Sequence, residues 1–146
     1  MSTKVVLSQA AAPAVVNPIK VLLVEEDLSD LRIYASSLGQ SGYDIRACAR
    51  YSDGVRALQR ERFDFVVVGQ GGPGFEGRLV LECARRVPRP APILVVTRCP
   101  DMKCYLEAME LGALDYVERP HFPSQFARVL ATYLRPDPGS GPLPDN

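Results

Sequence analysis

The sequence predicts a doubly wound α/β domain built around a five-stranded parallel sheet. Five short runs rich in β-branched or apolar residues alternate with five stretches of helical periodicity, and the connections between them are short. The third run, residues 65–68, is apolar at every position, which is typical of a strand covered by helices on both faces.

Each element has its own local pattern. The predicted strands are the apolar runs at residues 19–24, 44–48, 63–68, 92–97 and 114–117. The predicted helices carry apolar residues at helical spacing, at residues 29–40, from 52, 78–86, from 102 to Gly112, and 124–134. Ser52 and Asp101 are predicted to cap the second and fourth helices, and Gly42 ends the first. Five βα units with right-handed crossovers favour the flavodoxin-like strand order 2-1-3-4-5.

The chain has room for one domain. Residues 19–134 hold every predicted element, whereas residues 1–18 and 135–146 contain breakers, so we expect flexible N-terminal and Pro/Gly-rich C-terminal tails. No apolar run reaches the roughly 20 residues of a membrane helix. A single histidine and four cysteines without paired spacing give no metal motif and indicate free thiols, as expected of a cytoplasmic protein.

Charge gives no reason to expect direct binding of nucleic acid, because 17 basic and 17 acidic residues cancel. Arginines nevertheless cluster at residues 46–62 and 85–89. Acids such as Asp53, Glu61 and Glu82 lie among them, so we interpret both clusters as solvated helix faces. A patch for an acidic partner is the alternative.

Four stretches, each at the end of a predicted strand, together resemble the receiver domain of bacterial two-component response regulators. They are residues 21–27, 64–77, 93–97 and 112–120, in the order that the family has them. The resemblance covers about residues 19–134. It implies signal transduction rather than enzymatic activity.

The resemblance also implies a phosphorylation pocket. In the family, an acidic pair and an aspartate hold Mg²⁺, the aspartate accepts a phosphoryl group, and a hydroxyl and a lysine hold its oxygens. Here the acidic pair falls on Glu25 and Glu26, the hydroxyl on Thr97, the lysine position on Arg119 and the acceptor on Gly69. Glycine has no nucleophile, so we expect a pseudo-receiver without a catalytic residue. Binding of Mg²⁺ at the two acids should be weak or lost.

Arg119 is the second departure from the family pattern. Because its planar guanidinium can bind a carboxylate, we expect it to pair with Glu25 or Glu26 across the vacant pocket. The two acids could also serve only to complement the amino end of the first helix. By likeness to the family, the Arg119-Pro120 peptide bond is expected to be cis.

The resemblance further implies a docking face formed by the fourth helix, the fifth strand and the fifth helix. The residues expected there are Tyr105, Ala108, Leu111, Tyr116, Glu118 and Phe122. Tyr116 matches the aromatic residue that changes rotamer in the family, although it could be a simple packed aromatic. We expect an unidentified signalling or effector protein to dock on this face, or a second copy of the chain to form a homodimer.

Two other functions stay open. Residues 69–74 match G-x-G-x-x-G after a strand, a pattern of nucleotide or small-ligand binding, although Pro73 removes one amide hydrogen from such a cradle. The third interpretation is an ordinary phosphorelay receiver whose acceptor is displaced or was mutated at Gly69.

Overall fold

The structure, a computed structural model, describes residues 18–119 and 123–134 and contains one parallel sheet. The strands are β1 (Lys20–Val24), β2 (Asp44–Cys48), β3 (Phe65–Gly69), β4 (Ile93–Thr97) and β5 (Asp115–Glu118). The helices are α1 (Leu28–Gln40), α2 (Tyr51–Arg60), α3 (Arg78–Ala84), α4 (Met102–Glu110) and α5 (Pro123–Leu134). The strand order is β2-β1-β3-β4-β5, which confirms the predicted flavodoxin-like fold.

Helices cover both faces of the sheet, and alternate residues of each strand point to opposite faces. In β3, Phe65 and Val67 pack toward α1 and α5, where the rings of Tyr34 and Phe126 are stacked with centroids 4.2 Å apart. Val66 and Val68 pack in the other cluster, toward α2, α3 and α4. The central strands are therefore buried on both sides, as the continuous apolar runs predicted.

Two predicted helix ends are confirmed and one predicted cap is wrong. Gly42 and Gly112 both have φ of +92°, the left-handed conformation that ends a helix. Asp101 caps α4, since its Oδ1 accepts from the backbone N–H of Lys103 at 2.9 Å. Ser52 does not cap α2, because the helix already begins at Tyr51, and Arg50 takes the extended N-cap position without a side-chain hydrogen bond.

Some sequence predictions lie outside the described part of the chain. The tails predicted at residues 1–18 and 135–146 fall there almost entirely, as do Phe122 and the Arg119-Pro120 peptide bond. None of the helices in the described ranges has the length and apolar character needed to cross a bilayer. The four cysteines are free thiols, of which Cys48 and Cys104 are buried and Cys99 is exposed.

Candidate functional site

The predicted pocket residues meet at the carboxyl edge of the sheet, where the loops after β1, β3 and β4 surround a shallow depression. Gly69 at the end of β3 pairs with Val96, next to Thr97. The depression is lined by Glu25, Glu26, Asp27, Gln70, Gly71, Gly72, Val96, Thr97 and Arg98. The structure thus brings together four of the five predicted pocket positions, namely Glu25, Glu26, Gly69 and Thr97. The fifth, Arg119, pairs with Asp30 instead.

Glu25 takes the space that an acceptor side chain would need. A Cβ built on Gly69 would lie 2.5 Å from Oε1 of Glu25, so any side chain there must displace this carboxylate. Oε2 of Glu25 is held by the backbone N–H of Asp27 at 3.0 Å. Burial raises the pKa of Glu25, and the hydrogen bond from Asp27 partly offsets that effect. The carboxylate of Glu25, the residue that follows β1, therefore occupies the position above Gly69.

The loop after Gly69 folds back on the strand end. The carbonyl oxygen of Gly69 accepts from the hydroxyl of Tyr51 at 3.2 Å, and the N–H of Gly77 donates to the carbonyl of Gln70 at 3.0 Å. A Cβ on Gly77 would overlap the Gly69 carbonyl oxygen, so only glycine fits this close approach. Phe75 has φ of +54° and is buried, which anchors the loop from its far side.

The loop at residues 69–74, which matches G-x-G-x-x-G, binds the carboxylate of Glu76 from the same chain. Oε1 of Glu76 accepts from the backbone N–H of Gly72 at 2.7 Å, and it lies where a Cβ on Gly71 would be. A phosphate cradle needs free backbone N–H groups and a helix amino end. Here a carboxylate already binds one of those groups, so the geometry counts against the nucleotide-binding interpretation.

Arg119 pairs with Asp30 on α1, so the predicted pairing with Glu25 or Glu26 was wrong. Its Nη1 donates to Oδ1 of Asp30 at 2.5 Å. Asp30 is only 5% exposed, which makes it the stronger attractor for a guanidinium reaching over β5. The arginine side chain therefore lies against the first helix and not over Gly69.

A second arginine completes an ionic cluster, which we call the Asp30 cluster: Asp27, Asp30, Arg98 and Arg119. Nε and Nη2 of Arg98 donate to Oδ2 of Asp30 at 3.1 and 3.0 Å, and Nη2 also reaches Oδ2 of Asp27 at 2.6 Å. Asp27 caps α1 through the backbone N–H of Asp30, and that hydrogen bond lowers the pKa of Asp27. The cluster ties the first helix to the ends of β4 and β5.

Tyr116 is hydrogen-bonded to the loop that follows Gly69. Its hydroxyl donates to Oε1 of Gln70 and accepts from the backbone N–H of Asp101 at 3.0 Å. Gln70 is buried, and its amide nitrogen donates to the carbonyl of Gly72 at 3.0 Å. Burial raises the pKa of Tyr116, so the hydroxyl stays protonated. The aromatic ring thus connects the loops after β3 and β4.

Thr97 bonds within its own loop. Its hydroxyl donates to the carbonyl of Cys99 at 3.1 Å and accepts from the N–H of Cys99 at 3.0 Å. Thr97 is buried, so in this arrangement it shapes the turn after β4.

The residues predicted for the docking face differ in their exposure. Tyr105 is 38% exposed and meets Tyr116 edge-on, with ring centroids 5.8 Å apart, and Glu118 is exposed. Leu111 is half-buried. Ala108 was wrongly assigned to this face, because it is fully buried and packs toward the sheet one helical turn after Cys104.

The acids at this edge do not match the donor set that Mg²⁺ has in the family. Gly69 contributes no oxygen from a side chain, and Glu25 has one carboxylate oxygen over Gly69 and the other on the N–H of Asp27. Within the described ranges no three acidic, histidine or cysteine side chains are grouped to hold a metal ion. A hard divalent cation needs several oxygen ligands, so the residues present do not fit it.

Sequence reasoning missed Asp27, Asp30, Arg98 and Gln70. Asp27 could have been found, because an aspartate directly before a run of helical period is a typical N-cap. Gln70 follows the strand end, where functional side chains gather, and this was a usable signal. The partners of Asp30 lie 68 and 89 residues further along the chain, so no local pattern pointed to them.

Comparison with known proteins decides the family, because the model of the response regulator receiver domain matches residues 21–131. The chain belongs to the receiver domain family of response regulators. Among curated relatives, this receiver domain is 29% identical over 122 residues to "Probable transcriptional regulator ycf27" of Porphyridium aerugineum, covering 83% of the chain and 50% of the relative. The corresponding values for PhoP of Bacillus subtilis, an alkaline phosphatase synthesis transcriptional regulatory protein, are 28% over 117 residues, 80% and 49%.

The receiver domain spans about half the length of these curated relatives. Solved structures agree on its fold. A CheY-like receiver domain protein from Methanospirillum hungatei superposes with a TM-score of 0.73 at 21% identity, covering 81% of this chain and 94% of that one. For the chemotaxis response regulator CheY4 of Vibrio cholerae the TM-score is 0.71 at 22% identity, with coverage of 80% and 98%.

Proposed function

We propose that this receiver domain acts in signal transduction by protein–protein interaction and without phosphorylation. The observation that carries the proposal is the contact above Gly69. The acceptor position has no side chain, and the carboxylate of Glu25 lies 2.5 Å from where a Cβ would be. Phosphoryl transfer needs a nucleophile in line with the donor, and Gly69 supplies none at this strand end.

Three of the acids around the pocket are poorly placed to serve as a displaced acceptor. The carboxylates of Glu25, Asp27 and Glu76 each accept a backbone hydrogen bond, from Asp27, Asp30 and Gly72 respectively. Such bonds hold a carboxylate in place and make it a weaker nucleophile. These contacts favour the pseudo-receiver over an ordinary phosphorelay receiver.

Two further contacts support a domain that rests in one state. Arg119, at the family's lysine position, is held on Asp30, and the hydroxyl of Tyr116 is held by Gln70. In an ordinary receiver both positions respond to a phosphoryl group. Here each already has a partner within the chain, so we propose that the signal lies in the shape of the surface.

We further propose that Mg²⁺ binding is weak or lost and that the partner binds the face of α4, β5 and α5. Of the residues predicted for this face that the structure describes, Tyr105 and Glu118 are exposed to solvent. The partner is another signalling or effector protein or a second copy of the chain. If the chain forms a homodimer here, Tyr105→Glu abolishes it in sedimentation experiments, whereas Ile33→Glu on α1, with a wild-type side chain of similar exposure, leaves it intact.

The test of the proposed function is a titration with beryllofluoride and Mg²⁺, followed in the amide spectrum of the ¹⁵N-labelled protein. We expect no saturable change at Gly69, Thr97 or Tyr116. A receiver domain with an aspartate at the acceptor position, treated in parallel, shows that the reagent is active. Saturable shifts around Gly69 and Thr97 would reject the proposal.

A further inference from the structure

A groove runs between α2 and α3 and opens at the amino edge of the sheet, on the opposite side from Gly69. Its middle is formed by Leu58, Val87 and Pro88, which line both halves of this groove. Leu79 on α3 borders the groove and is 55% exposed, a large value for a leucine. Val55 and Val87 are only partly buried. The groove therefore presents aliphatic surface to solvent.

The rim of this groove is basic. Arg60, Arg62, Arg86 and Arg89 line it, all four are exposed, and within the described ranges none of them forms an ion pair.

The acids that line the groove do not balance these arginines. Glu61 is held by Lys20 at 3.0 Å and by Arg46, and Glu82 lies 3.6 Å from Arg78. Both acids are thus engaged with cations outside the groove. The groove therefore has a net positive charge from its four arginines beside an aliphatic floor. This charge favours an acidic ligand.

The floor indicates which acidic ligand fits. Single-stranded nucleic acid binds where exposed aromatic rings stack on bases, but Phe63, the aromatic residue that lines the groove, is buried and has the Lys20 ammonium 5.3 Å from its ring centre. An amphipathic helix, in contrast, lays its apolar side chains on an aliphatic groove and its charges on the rim. We propose that this groove binds an acidic amphipathic segment of a partner protein.

The inference goes beyond the proposed function, because it concerns a second surface and does not depend on the state of Gly69. It also revises our interpretation of the arginine clusters as solvated helix faces. Arg46 and Arg56 do have acidic partners within the chain, as that interpretation expects. Arg60, Arg62, Arg86 and Arg89 have none among the described residues, and they line the same groove.

The experiment uses the full chain and a fluorescein-labelled peptide with leucines at helical spacing and glutamates between them. Fluorescence anisotropy measures its binding to the wild type, to Arg86→Glu/Arg89→Glu and to the matched control Arg32→Glu/Arg128→Glu. The control changes two exposed arginines on α1 and α5, at the other face of the sheet, which form no ion pair with the described residues. Circular dichroism verifies that both variants are folded.

We expect saturable binding that weakens about tenfold in Arg86→Glu/Arg89→Glu and less than about twofold in the control, because only the first pair contacts the ligand. Replacing every glutamate of the peptide by glutamine should weaken binding to a similar degree. Amide shifts should centre on Val55, Leu79 and Val87.

Four results would overturn the inference: no saturable binding, equal loss in both double variants, binding that is indifferent to the glutamates, or tighter binding of an oligothymidylate to the same residues. The last result would assign the groove to nucleic acid. The beryllofluoride titration at Gly69 reads out the proposed function separately, so either proposal can fail without the other.

Discussion

The arginines at the two edges of the sheet differ in whether they pair with an acidic side chain of the described chain. At the carboxyl edge, Arg98 and Arg119 converge on the buried carboxylate of Asp30. At the amino edge, Arg86 and Arg89 remain exposed beside an aliphatic groove, without an acidic partner in the described part of the chain. The carboxyl edge pairs these two arginines within the chain, and the carboxylate of Glu25 lies in the space above Gly69. The amino edge leaves its charges available to another molecule.

The comparison predicts that substitutions which break close packing or buried ion pairs at the carboxyl edge cost stability, whereas substitutions of the groove arginines do not. Gly77→Ala should have the largest effect, because its Cβ would overlap the Gly69 carbonyl oxygen and the loop would have to move. We expect a loss of about 3 kcal/mol in the free energy of unfolding, measured in urea. Gly72→Ala in the same loop is the control, since its Cβ would have no neighbour closer than 3.8 Å. Equal effects of the two variants would show that the loop is not held by this contact.

Asp30→Asn removes the charge that holds the Asp30 cluster together. Because the buried side chain would then face two guanidinium groups without a carboxylate, we expect a loss of about 2 kcal/mol. Asp53→Asn serves as the control, since its pair with Arg56 is exposed on α2 and should contribute less than about 0.5 kcal/mol. If both variants were equally stable in urea, the ionic cluster would not distinguish the two edges.

Tyr116→Phe tests the link between the two loops. It removes the hydroxyl that joins Gln70 to the N–H of Asp101, and it leaves a buried amide oxygen without that donor. We expect a loss of about 1 kcal/mol and faster ring motion in NMR relaxation. Tyr105→Phe should change neither, because its hydroxyl makes no hydrogen bond to the described residues. Unaltered ring dynamics in Tyr116→Phe would mean that packing alone fixes the aromatic residue.

Glu25→Gln should have the smallest effect, and its sign depends on pH. Burial raises the pKa of Glu25 above its usual value of 4.5, so folding takes up a proton in the interval between the unfolded and folded pKa values. The stability that this group contributes is fully present below its unfolded pKa and is lost as pH rises through the folded pKa. Glutamine does not titrate, so the variant should gain stability relative to the wild type between pH 4 and pH 7.

Glu61→Gln is the opposite-sign control for that experiment. The hydrogen bond from Lys20 lowers the pKa of Glu61, so its contribution is present above the unfolded pKa and is lost as pH falls through the folded pKa. The variant should lose stability relative to the wild type between pH 4 and pH 7. If the two variants had the same pH dependence, the buried position of Glu25 over Gly69 would be in doubt.

Local patterns were sufficient for the fold and for the vacancy at the strand end. Continuous apolar runs identified β3 and β4, and the loop chemistry placed Gly69 at the carboxyl edge. The ionic partner of Arg119 could not be found in this way, because Asp30 is 89 residues away and its burial depends on how α1 packs on the sheet. Ala108 was misplaced because helical spacing shows which residues share a face but not which way that face turns.

The position of Glu25 was equally beyond the sequence. The acidic pair after β1 was visible, but its orientation depends on the missing Cβ of Gly69 and on the N–H of Asp27. The missing side chain at the end of β3 therefore leaves the space in which the carboxylate of Glu25, after β1, lies. This contact depends on the pairing of β1 with β3 and on the direction of the Glu25 side chain, and the local sequence patterns do not show that direction.

The most direct test of the central claim is the intact mass of the wild-type protein after incubation with acetyl phosphate and Mg²⁺. A receiver domain that carries the acceptor aspartate is incubated in parallel, and its phosphorylated form verifies the reagent. We predict that the wild-type mass does not change. A mass increase of one phosphoryl group that is labile to hydroxylamine, as an acyl phosphate is, would contradict the account.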